Sequence, residues 1–240
     1  SPSWTEGQQT EDACVIAVDC LGRSLDCLER RAMPIYTVHG PAIGESAVPD
    51  WGDYSDILIS GLVEQRPDGM LAVSRTGPYV PPVVVTDDGR WATDRLVVTD
   101  RFKAPLELSG LSGLVFYPAI KHHIVPLDWE TWDWSADEPE QYPESGEPED
   151  YVLAMPHSEQ AAAEMEDLWE VRPAESTRLK PSTATADWNG PDLFKVHGSP
   201  YIFVSARAKS WLERAVGDWV SFRPVPLTAM GTQAPAIEED

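Results

Sequence analysis

"VVTDRFKAPLELSGLSGLVFYP" (97–118) and "FVSARAKSWLERAVGDWVSFRP" (203–224) decide how this chain is read. Offset by 106 positions and aligned without a gap, they agree at Val98/Val204, Arg101/Arg207, Lys103/Lys209, Leu106/Leu212, Glu107/Glu213, Phe116/Phe222 and Pro118/Pro224. Each copy opens on a short apolar run, 96–98 or 201–204, which reads as a strand. A hydroxyl residue follows, Thr99 or Ser205, suited to accept hydrogen bonds from the first amides of a helix. Phe102 and Leu106 share one face of the first helix; Ala208, Trp211 and Leu212 share one face of the second. Lys103–Glu107 and Lys209–Glu213 are i,i+4 ion pairs. The helices are expected to end near 108 and 215, with strands following in "GLVFYPAI" and "WVSFRPVPL". Pro105 lies inside the first helix, where a missing amide and a bulky ring are expected to kink or shorten it.

The fold class that follows is α+β, with mixed sheets built around two internally related strand–helix–strand units, at 91–129 and within 152–230. Ahead of them, residues 1–90 form an N-terminal region of helix and strand. Within it, Cys14, Val15, Val18, Leu21, Leu25 and Leu28 recur at helical steps, so a helix is expected over 11–33, stopped by Pro34. "RPDG" at 66–69 is a turn signal and predicts a hairpin of 57–64 with 70–75. "PPVVVTDDGRW" adds a strand and an Asp-Gly turn. "HSEQAAAEMEDLWEV" (157–171) is expected to be a helix begun near Ser158, with Met165, Leu168 and Trp169 as its apolar positions.

Between the units, 130–151 is the most unusual stretch of the chain. It holds nine carboxylates and no basic residue, broken by Pro139, Pro143, Pro148 and Gly146, and reads as an acidic loop or extended arm. Trp132, Trp134 and Tyr142 interrupt it, although a purely solvated spacer needs no aromatic ring. In an extended arm Trp132 and Trp134 share one face, and with Tyr142 they are the candidate binding anchors; the alternative is that the tryptophans fold back onto the chain's own core. Glu138, Glu140, Glu144, Glu147, Glu149 and Asp150 are the candidate steering charges. The chain as a whole carries 40 acidic and 18 basic side chains, a net charge of -22. Such a field repels nucleic acid and anionic membranes and favours a basic protein partner. No run of 18 apolar residues exists, and 231–240 closes the chain as an acidic tail.

Chemical signatures are sparse. The chain has no glycine-rich phosphate loop, nucleophile elbow or His-Glu-x-x-His helix. His122, His123 and Asp128, with His157 or His197, are the nearest approach to a metal set, but adjacent histidines on a strand point to opposite faces. His39 and His197 each precede a glycine, which suits entry into a turn. Cys14, Cys20 and Cys27 are odd in number and spaced for neither a disulfide framework nor a zinc knuckle, which suggests a reducing, cytoplasmic setting. Arg101, Lys103, Arg207 and Lys209 read as scaffold of the duplicated element, with two equivalent anion sites as the alternative. No catalytic residue, metal or cofactor is expected.

The repeated phrase, a "T/S-x-R-x-K-x-x-L-E" helix leading into a strand with F-x-P, resembles one found in immunity proteins of bacterial polymorphic toxin systems. The matching positions are Thr99, Arg101, Lys103, Leu106, Glu107, Phe116 and Pro118, and again Ser205, Arg207, Lys209, Leu212, Glu213, Phe222 and Pro224. The likeness covers about 50 of the 240 residues and is to the group that includes a large myxobacterial paralogous set, many of whose members carry paired Cys-x-x-Cys-Gly motifs. This chain has no Cys-x-x-Cys pair, so a structural zinc does not carry over. The resemblance implies a cytoplasmic protein that neutralises a cognate toxin, and a basic nuclease would suit the anionic surface. The alternatives from other classes are an enzyme using a metal or histidine and an acidic adaptor or structural binding module.

Overall fold

A computed structural model of the chain describes residues 34–42, 50–87, 94–173, 176–177 and 190–225. The expected helix at 11–33 with its three cysteines, the Asp-Gly turn at 88–89 and the acidic tail lie outside them.

Both repeated units form as strand, helix, strand. In the first, β5 (Asp94–Thr99) runs into α2 (Asp100–Glu107) and then β6 (Val115–Pro126). In the second, β10 (Ile202–Ser205) runs into α5 (Ala206–Val216) and then β11 (Ser221–Pro224). The expected caps are in place: Phe102 N–H donates to Thr99 Oγ1 (3.4 Å), and Ala208 N–H donates to Ser205 Oγ (3.1 Å). Pro105 lies inside α2, which starts at the position equivalent to the start of α5 but spans 8 residues against 11, in line with the expected shortening. A further strand precedes each unit as its antiparallel neighbour: β4 (Val83–Asp87) beside β5, and β9 (Leu193–Val196) beside β10.

Neither unit closes its own sheet. The strand lying between β5 and β6 is β7 (Leu168–Arg172), which leads into the second unit. The strand lying between β10 and β11 is β1 (Ile35–His39), which comes before the first. The two registers coincide. Leu168 opposes Thr99 as Ile35 opposes Ser205, and Trp169 opposes Pro118 as Tyr36 opposes Pro224. The duplication therefore extends to β1 and β7, and the halves have exchanged these strands.

The same equivalence fills the core. Val83 with Leu193, Leu96 with Ile202, Val98 with Val204, Leu106 with Leu212 and Val38 with Val171 are paired positions, all buried in one apolar cluster. Phe102 of α2 meets Trp211 of α5 at 5.8 Å. Gly113, in the α2–β6 loop, passes so close to β9 that a Cβ would lie 2.2 Å from the Leu193 carbonyl oxygen, and its φ is +83°.

At one edge the first sheet is extended by the hairpin of β2 (Leu62–Gln65) and β3 (Leu71–Gly77), with β3 parallel to the long C-terminal part of β6. The strand order is β2-β3-β6-β7-β5-β4. The second sheet is β11-β1-β10-β9-β8, where β8 is the short strand Ser176–Thr177. The "RPDG" turn forms, with Gly69 N–H donating to the Arg66 carbonyl (2.9 Å). The hairpin is shorter than expected, because 57–60 belongs to α1 (Asp53–Ser60). Ile57, Leu58 and Ile59 are all buried, and such a continuous apolar run fits a buried strand as well as a buried helix. The expected helix at 157–171 is also corrected. It is the short α4 (Glu159–Glu164), capped by Ser158, after which Met165 turns extended and 168–172 becomes β7. Pairing on both edges of β7 outweighs the helical periodicity of Met165, Leu168 and Trp169.

The caps give an unequal pair of predictions. Thr99→Ala is expected to cost about 1 kcal/mol. Ser205→Ala should cost more, because Ser205 Oγ also donates to Asp192 Oδ1 (2.7 Å). Urea unfolding of both variants checks the order.

Candidate functional site: an acidic face held on an aromatic layer

The acidic segment is not a free arm. Trp129, Trp132, Tyr151 and Val152 sink into a cluster with Trp51, Ile57, Leu58, Ile59 and Leu127. A 3-10 turn at Trp129–Thr131 directs the first rings inward, and the single helical turn α3 (Asp150–Leu153) directs Tyr151 and Val152. Trp134 stacks on Trp129 at 5.5 Å and donates its Nε1–H to the Trp129 carbonyl (3.1 Å). From outside the segment, Trp51 Nε1–H donates to the Ala136 carbonyl (2.9 Å) and Tyr54 O–H to the Gly146 carbonyl. Trp132, 7% exposed, meets Trp51 at 5.9 Å. The geometry expected of an extended arm, with Trp132 and Trp134 displayed on one face, is thus corrected: Trp132 seals the chain's own core and Trp134 is half-buried.

What remains outside is charge. Asp137, Glu138, Glu140, Glu144, Glu147 and Glu149 are exposed, and Asp150 is partly so. Among the described residues none of them forms an ion pair. Two are fixed by neutral donors: Glu140 Oε1 accepts from Asp133 N–H (3.0 Å), and the Asp150 carboxylate accepts from Ser145 O–H. Asp133 accepts from the Ser135 hydroxyl and amide, which lower its pKa. Tyr142 rests its ring edge on Tyr54 (5.1 Å) and stays 47% exposed.

The repeated cations are scaffold. Lys103 Nζ lies over Trp169 (4.2 Å) and Phe116 (5.5 Å), and Lys209 Nζ over Tyr36 (5.2 Å) and Phe222 (5.6 Å), which is the same cage in each half. Each lysine also pairs with its own helix's glutamate, Glu107 or Glu213. Both arginines hold an anion, and in each case it belongs to the chain. Arg101 pairs with Glu166, which also accepts from the Arg101 amide. Arg207 pairs with the buried Asp192.

Asp192 joins the two halves. It accepts from the Ser112 amide and hydroxyl of the first unit (2.9 Å each), and from the Ser205 hydroxyl and Arg207 of the second. Burial by itself would raise its pKa; Arg207 and the serine donors more than offset that and hold it below the usual carboxylate range. Pro82 is the corresponding residue in the first half: its carbonyl accepts from Thr99 N–H as the Asp192 carbonyl accepts from Ser205 N–H. The network is therefore private to one copy, and the repeat alone does not announce it.

The histidines are placed as follows. His123 and His157 come together, ring centres 5.9 Å apart, while His122 and His197 are exposed. His123 Nε2 contacts the Met155 carbonyl (2.8 Å), and His157 Nδ1 accepts from the Ile124 amide (2.8 Å), so both rings bind backbone. Among the described residues, no group of three or more His, Cys, Asp or Glu is placed to hold a metal. His39 lines two adjoining cavities of about 340 and 560 Å³, together with Gly40, Asp56, Ser60 and Val85. Burial, and then Arg223, lowers the His39 pKa. Ser60 O–H donates to Asp56 (2.8 Å) and His39 Nε2 contacts Thr37 Oγ1 (2.8 Å), so hydroxyl and imidazole are engaged separately rather than with each other. Sequence reasoning missed this cleft because its walls come from β1, α1, β4 and β11.

Searches of family models, curated proteins and solved structures return no match to this chain. Fold and surface define its class only as an α+β protein with an exposed acidic face.

Proposed function

We propose that this chain is an immunity protein that binds a cognate bacterial effector toxin stoichiometrically and neutralises it by covering its active cleft. The observation that carries the reading is the row of carboxylates at 137–150, exposed except for the half-buried Asp150, free of ion pairs among the described residues and carried by a segment that packs on an aromatic layer. Electrostatic complementarity of this kind accelerates association and sets partner choice, and a rigid surface loses little conformational entropy on binding. The partner it fits is basic, as a nuclease toxin would be. The likeness of the repeated phrase to immunity proteins supports the same reading, and binding alone would accomplish it without catalysis by this chain. Among the described residues no helix is long and apolar enough to cross a membrane. The cytoplasmic setting of this proposal comes from the resemblance to immunity proteins, since such a toxin would act there.

The test is co-expression with the product of the adjacent gene, followed by calorimetry at low and high salt. A complex that weakens with salt and rescues growth is the expected result. Replacing Glu144, Glu147 and Glu149 together by lysine should slow association at least tenfold, while thermal stability changes little because all three are exposed. No complex and no rescue would overturn the proposal. Unchanged association of the triple variant would move the contact off this face.

A further inference from the structure

Six large apolar side chains are exposed among the described residues, and three of them fall within 142–155: Tyr142, Leu153 (64% exposed) and Met155 (43%). The backbone leaves them little choice. Tyr151 and Val152 are buried at 2% and 1%, so α3 points Leu153 at the end of the same turn toward solvent. Beyond it the chain is clamped to β6 by three contacts of 2.8 Å. The Met155 carbonyl meets His123, the Ile124 amide donates to His157, and the Ser158 amide donates to the Ile124 carbonyl. Met155 is therefore displayed by an anchored backbone. Along the chain, the exposed Glu147 and Glu149 precede Leu153 and Met155, and Glu159, whose side chain is 95% exposed beside His157, follows them. An apolar centre within a charged rim is the usual anatomy of a protein interface, with the binding energy concentrated at the centre.

We infer that Leu153 and Met155, with Tyr142 at the edge, form the apolar centre of a docking surface for a basic protein, which seats an apolar side chain there while its lysines and arginines meet Glu147, Glu149 and Glu159. The inference deepens the immunity reading by locating where affinity, as opposed to steering, arises. It rests on that reading for the identity of the partner, but its test does not require the toxin.

The full chain, labelled at its methyl groups, is titrated with two synthetic peptides of equal charge, one alternating lysine with leucine and the other lysine with serine. The Leu153 and Met155 methyl resonances are expected to shift with the lysine–leucine peptide, which should bind at least tenfold tighter. In the double variant Leu153→Ser/Met155→Ser that advantage should vanish without a lower melting temperature, since both side chains are exposed. Equal affinities, unmoved methyl groups or no binding of either peptide would overturn the docking site and leave the immunity reading to the co-expression experiment. Conversely, shifted methyl groups together with no binding of the adjacent gene product would keep the surface and remove the toxin.

Discussion

Cut at the exposed Gly146, the chain is expected to yield two fragments, 1–146 and 147–240, that are each unfolded alone and fold when mixed. The reason is the exchange of strands. The first fragment carries β4, β5, α2 and β6 but lacks β7, which opposes β5 at four positions and β6 at five. The second carries β9, β10, α5 and β11 but lacks β1, which opposes β10 at three positions and β11 at four. Without the strand that lies between two of its own, each sheet leaves two rows of backbone donors and acceptors unpaired, and the shared core loses Val171 from one half and Val38 from the other. The cut falls at exposed residues, and its local cost, the Tyr54 hydrogen bond to the Gly146 carbonyl and the Ser145–Asp150 contact across it, is small beside the loss of a whole strand. Circular dichroism and amide NMR of each fragment and of the mixture measure the outcome. A cooperative melt from either fragment alone would show that the exchanged strand is dispensable and the argument wrong.

The second large effect is expected at Asp192. Asp192→Ala removes an acceptor that serves the Ser112 amide and hydroxyl, the Ser205 hydroxyl and Arg207, and it should cost about 3 kcal/mol. In a chain of this length that corresponds to a melting temperature lower by about 6–12 °C. The effect depends on pH with a definite sign. The folded-state pKa lies below the unfolded one, so the charged form favours folding. Its contribution is fully present above an unfolded carboxylate pKa of about 4 and is lost as pH falls through the lower folded value. The stability gap between the native chain and Asp192→Asn should stay constant from pH 8 to 6 and narrow below pH 4. A gap that widens in acid would contradict the network. Because Asp192 ties the Ser112 loop to α5, the variant should also speed amide exchange in the loop before β6.

Much of this was legible in the order of residues, and the legible part is local. Thr99 and Ser205 announced their helices because a cap is a contact within three residues. The "RPDG" turn and the strands of both units followed from spacing alone, as did the Lys103–Glu107 and Lys209–Glu213 pairs. The accumulation of carboxylates at 130–151 is a property of composition, and their exposure follows from the cost of burying a charge.

Tertiary structure decided the rest, because it depends on what each segment meets. The five residues "IYTVH" and "LWEVR" agree only at Val38/Val171 and lie 133 positions apart, unlike the 106 of the larger repeat, so their equivalence appears only in strand register. Leu168 and Trp169 satisfy a helical period, yet two waiting sheet edges made them a strand. Trp132 and Trp134 have the spacing of displayed anchors, yet a turn and the ring of Trp51 drew Trp132 inward. Among the apolar side chains left outside are Leu153 and Met155, which nothing in their neighbours' identities marked. Sequence determined the repeated unit, its caps and the sign of the surface, since these are set by bonds over a few residues or by charge. Which strand completes which sheet, and which apolar side chains face solvent, were settled by competition among distant segments for the same buried area.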